Sequence, residues 1–170
     1  MNLHAAPRAL PGPQHCDGRI PHPLVRYAAT DVLLVGEQHD AGCPWTPYGP
    51  VVMAAVREGV PVVGDNLTRA QMRAAMQDST LDARLPAPQL AEQEERIRTG
   101  HCNALPGSQI RPMTRVQMAR GLAMADTVPA ARQPGRGVLL VAGNGHVARG
   151  LSVPVHLGPK FQVTVLSAQA

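Results

Sequence analysis

Three short aliphatic runs, each cut off by glycine and each followed at once by polar side chains, constrain this chain more than any other feature. They are Val32-Leu33-Leu34-Val35 before Gly36, Val60-Pro61-Val62-Val63 before Gly64, and Val138-Leu139-Leu140-Val141-Ala142 before Gly143. Continuous apolar runs of this length suit strands buried on both faces, the habit of parallel sheets packed between helices. Between the first two runs, residues 50–58 carry a helical pattern, and Gly59 stops it as a helix C-terminal glycine does. Strand, helix and strand within about thirty residues read as a βαβ unit with parallel strands and a right-handed crossover.

The rest of the chain extends this pattern. Thr68 to Gln77 is a helix that Thr68 can cap, with Met72 and Met76 on one face. Residues 78–111 are irregular, with prolines at 86, 88 and 106 and a short charged helical patch over 91–98. The spacing of Val116, Ala119, Leu122 and Ala123 predicts a second strong helix over 113–126 with those residues inward. Phe161 to Leu166 alternates weakly and supplies a last strand at the sheet edge. The expected fold is α/β: a single three-layer domain with a small, mostly parallel sheet over residues 29–170. A flexible, proline-rich segment, residues 1–28, precedes it and carries His4, His15 and His22. A length of 170 residues fits one domain with a real core.

Composition excludes several functions. Trp45, Tyr27, Tyr48 and Phe161 are the whole aromatic set, so the core is built from Val, Leu, Ala and Met, with seven methionines as flexible filler. The net charge is +4, yet the arginines are scattered and Lys160 is the single lysine. No basic run interleaves with aromatics, which argues against nucleic acid and leaves small anionic ligands. Cys16, Cys43 and Cys102 make an odd count without a CxxC pair, against a disulfide framework or a zinc knuckle. No apolar stretch spans a bilayer, and no signal peptide is visible, so the chain as written reads as cytoplasmic.

If the strands are parallel, three turns meet at the carboxyl edge of the sheet, where open α/β folds bind ligands. They are Gly36-Glu37-Gln38-His39-Asp40, Gly64-Asp65-Asn66-Leu67-Thr68-Arg69 and Gly143-Asn144-Gly145-His146. Glu37 and His39, two apart, project to one side of an extended segment. A carboxylate beside an imidazole can coordinate a divalent metal, hold a water for general-base attack or form an ion pair, with His146 as a second nitrogen. Arg69 offers a planar fork to an anionic group. His101-Cys102 is a further pair, but a nucleophile there lacks an orienting group and an oxyanion pocket.

Together, Val32–Asp40 (VLLVGEQHD), Pro44–Tyr48 (PWTPY) with Gly49-Pro50-Val51-Val52, Gly59–Arg69 (GVPVVGDNLTR), His101-Cys102, Gln117–Ala125 and Gly143–Leu157 resemble the ChaN-like haem-binding uptake family of the Tiki/TraB superfamily. The resemblance runs from about Asp31 to the end. It implies a shared pocket with Glu37, His39, Tyr48, Asn66, Arg69, Asn144 and His146 as cofactor-binding residues, and haem held there, between two subunits of a homodimer. Ranked after it is a second reading, a metal-dependent protease or esterase in which Glu37, His39 and His146 are catalytic and metal-binding. A third is a shortened remnant that folds without activity. Family relatives are often periplasmic or outer-membrane lipoproteins involved in iron uptake, so an export signal upstream of Met1 is a further expectation. The chain departs from the pattern in places: only Ala41, Gly42 and Cys43 separate the GEQHD and PWTPY motifs, which implies an internally shortened sheet. Thr68 replaces a proline, Gly121 and Gly150 stand where acidic residues are common, and Ala148 where arginine is expected.

Overall fold

Parallel strands cannot be joined by tight turns, so each pair needs a crossover, and this chain fills its crossovers with helices. A computed structural model describes residues 48–167 and the backbone of residues 32–37. In chain order the elements are β1 (Val32–Glu37), α1 (Gly49–Arg57), α2 (Arg69–Gln77), a 3-10 helix (Ser79–Arg84), α3 (Ala87–Gly100), α4 (Gly107–Ala131), β2 (Val138–Gly143), α5 (Asn144–Val147), α6 (Val153–Leu157) and β3 (Val163–Ser167). Among the described residues the sheet has the order β2-β1-β3 and is parallel throughout, with β3 at an edge. The α/β class expected from the sequence is what the chain adopts. The N-terminal segment 1–28, its histidines and Cys16 and Cys43 lie outside the described residues.

Local signals hold where they are chemical. Gly59 takes φ +65°, and the amides of Gly59 and Val60 return to the carbonyls of Val56 and Ala55, a left-handed glycine stop for α1. Thr68 caps α2: the Gln71 amide donates to Thr68 Oγ1 at 3.3 Å, and the Thr68 amide donates to Gln71 Oε1 at 2.8 Å. The residue that replaces a proline here thus closes a capping box.

Two expectations are corrected. The run Val60–Val63 is not a strand: residues 60–68 have no regular structure, and Val60, Val62 and Val63 are 46%, 50% and 57% exposed. The βαβ unit predicted over 32–64 is therefore absent. Both edges of β1 are taken by β2 and β3, and Pro61 has no amide proton to give a ladder. Secondly, the helix predicted over 113–126 runs for 25 residues and contains Pro112 and Pro129, and the 91–98 patch is part of the 14-residue α3. Proline reads as a stop in sequence, but burial on two sides overrides it.

That double burial explains α4. One side carries Val116 and Met118 into a cluster with Ala75, Leu81 and Leu85, against which Met72, Met76, Ala119 and Leu122 pack half-buried. The other side sends Met124, Ala125 and Val128 against Leu140 and Ala142 of β2 and against Val147, Val153 and Leu157. Ala123 is half-buried. Gly121 fits this packing closely: a Cβ there would meet Oγ of the fully buried Ser152, which would have to shift.

Candidate functional site

The parallel register decides where the turns fall. Glu37 is the Cα partner of Gly143, so β1 and β2 end side by side and the Gly143–His146 turn starts next to Glu37. The side chain of Glu37 and all of His39 lie outside the described residues. Among the described residues, no group of three His, Cys, Asp or Glu side chains comes together as a metal site.

His146 lies in α5 and is 4% exposed. Its Nδ1 is 3.2 Å from the amide nitrogen of Gln117, on α4. One helical turn along, Arg120 Nε donates to Asn66 Oδ1 at 3.0 Å, and Asn66 Oδ1 also accepts from the Leu67 amide at 2.9 Å. Helix α4 is thus the frame that holds the second and third turns, through Gln117 and Arg120 at i, i+3. Beside Asn66, burial pushes the Asp65 carboxyl up, opposed by its own backbone amide and by Arg120. Arg69 opens α2 and is exposed, and Asn66, although exposed, is engaged in fixing the loop.

Two cavities flank this frame. The first, about 290 Å³ and mostly apolar, lies between Val60–Val63 and the outer edge of β2, with α1 and the C-terminal half of α4 as further walls. Tyr48 lines it, as do Asp65, Gln133 and Arg136. The second, about 360 Å³, is polar and is lined by Asn144, Arg149, Ser167 and the Glu92–Arg96 ion pair. Tyr48 and Asn144 therefore face different cavities, although the sequence places both in one pocket. His101 Nδ1 donates to its own helix at the Ile97 carbonyl, 2.7 Å away, and Cys102 sits in the exposed left-handed turn after α3.

The model of one protein family, described as haem-binding uptake, Tiki superfamily, ChaN, matches residues 41–157. The chain belongs to that family. A solved structure described as cofacial heme binding to ChaN of Campylobacter jejuni has the same fold, with a TM-score of 0.67, 15% identity and 81% of each chain covered. No curated protein matches the sequence. The hydrogen bonds of α4 give weight to two residues with no role in the sequence pattern. Gln117 and Arg120 lie in a stretch that resembles the ChaN-like pattern but received no role. Their signal was two polar residues, one turn apart, on a helix otherwise apolar on two sides. The valines of 60–63 were taken for buried strand when they are a cavity wall.

Proposed function

We propose that this ChaN family member binds haem, in the service of iron uptake. The observation that carries the reading is the apolar cavity beside β2 in a chain of a haem-binding family. Small-molecule sites are mostly apolar with a few convergent polar groups, and this one has aliphatic walls for a macrocycle. Tyr48 supplies the oxygen type that ligates haem iron in some proteins. Arg136 supplies a guanidinium fork of the kind that meets carboxylates such as propionates. At about 290 Å³ the cavity is just below the usual range for such ligands, and a second copy closing its open side would complete the walls.

Haem bound here brings the iron chemistry; the chain supplies enclosure, an oxygen ligand and a cation. The hydrolase reading requires Glu37, His39 and His146 together, and of their three side chains only that of His146 is described. Titration of the purified protein with haemin is expected to give a saturable Soret shift of fixed stoichiometry. Tyr48→Phe should retain folding, displace the Soret maximum and weaken binding. A titration without saturation overturns the proposal, whereas binding unchanged in Tyr48→Phe moves the ligand elsewhere.

A further inference from the structure

Which nitrogen of a buried imidazole carries its proton is set by the hydrogen bond that the other nitrogen makes. For His146 that partner comes from 29 residues earlier: Nδ1 is 3.2 Å from Nε2 of Gln117. An amide NH₂ has only protons to offer, so Nδ1 must accept. A neutral ring whose Nδ1 accepts keeps its proton on Nε2. We infer that Gln117 is a positioning residue that locks His146 as the Nε2–H tautomer, making it a hydrogen-bond donor at that atom rather than a metal or iron ligand.

Gly145 leaves the space that this contact occupies. A Cβ at position 145 would stand 3.2 Å from the same amide nitrogen of Gln117, tighter than ordinary contact. The Gly-Asn-Gly-His turn therefore leaves open the approach that the amide uses. Burial to 4% exposure keeps water from competing for Nδ1, and the ring is carried on α5, which packs against all three strands, β1 foremost, and against α4. Iron or a divalent cation needs a lone pair, and at Nε2 the proton occupies it. Where haem is the ligand, an extension that rests on the proposed function, His146 serves it by donation and leaves coordination to another side chain.

Long-range proton–nitrogen correlation spectra of the full chain, labelled with the heavy nitrogen isotope and free of ligand, read the tautomer directly. The wild type is expected to show protonated Nε2 and unprotonated Nδ1. Gln117→Glu replaces the donor by an acceptor and should move a proton onto Nδ1. Gln117→Met keeps the volume, removes the donor and should leave a mixture. Protonated Nδ1 in the neutral wild-type ring overturns the inference, as does a His146 spectrum unchanged in a folded Gln117→Glu or Gln117→Met protein. Because these spectra need no haem, failure to bind haemin with the expected tautomer sinks the functional reading alone. Saturable haemin binding with the opposite tautomer sinks this inference alone.

Discussion

The two sides of α4 show how differently similar aliphatic residues can be used. Toward α2, α3 and the 3-10 helix, the packing is closed: Leu81, Leu85, Val116 and Met118 are all below a tenth exposed. Polar ties reinforce that side. Arg115 grips Asp82 with two bonds of 2.9 and 2.8 Å and reaches the Met76 carbonyl at 3.1 Å, and Arg111 pairs with Glu94 at 2.6 Å. Toward the outer edge of β2 the packing stops short. Val60, Val62, Val63 and Leu139 remain about half exposed around a cavity. Exposed aliphatic surface of that kind marks an interaction site more often than a core. Met124, Ala125 and Val128 of the helix itself are buried on this side too; the aliphatic surface left open belongs to the 60–63 segment and to Leu139.

Substitutions can break that contrast. Met118→Ala, at 1% exposure, should cost about 2–5 kcal/mol in denaturant unfolding. A loss well below this would mean that the helical side is as loosely filled as the sheet edge. Arg115→Met should destabilise less, and its effect should depend on pH. The hydrogen bonds from Arg115 hold the Asp82 carboxyl below its ordinary value of 3.8. The stability they contribute is therefore complete above that value and is lost as pH falls through the lower folded-state value. Thermal melts of wild type and Arg115→Met should differ at neutral pH and converge below pH 3.8. The smallest effect on folding is expected from Val62→Ser, within about 0.5 kcal/mol. Its haemin affinity should nevertheless fall about fivefold, the scale of one half-buried aliphatic contact. A Val62→Ser protein that melts far earlier than wild type would show that the 60–63 segment is core after all.

What could be read from the sequence follows from the range of the interaction. Gly59 and Thr68 were legible because a left-handed stop and a capping box need only neighbours within a few residues. The runs 32–35 and 138–142 were legible because each is apolar and ended by glycine, and 161–166 because it alternates, if weakly. Val60–Val63 has the same signature and failed, since a strand exists only if another strand offers it an edge. The full length of α4 was not legible for a related reason: Pro112 and Pro129 carry a fixed local cost, while the burial that accompanies them is contributed by residues far away in sequence. Of the site, the edge of the sheet and the turn holding His146 were visible. Gln117 was not, because nothing local links it to a histidine 29 positions on.

Sequence alone determined the α/β class, the glycine-ended runs and the set of side chains available for chemistry. These rest on covalent and near-neighbour preferences that each segment carries with it. Only the tertiary structure decided that α4 would be the frame of the site, that Tyr48 and Asn144 would line separate cavities, and that one valine run would stay out of the sheet. Those outcomes depend on which surfaces compete for burial once the chain has folded back on itself, and no segment contains that information alone.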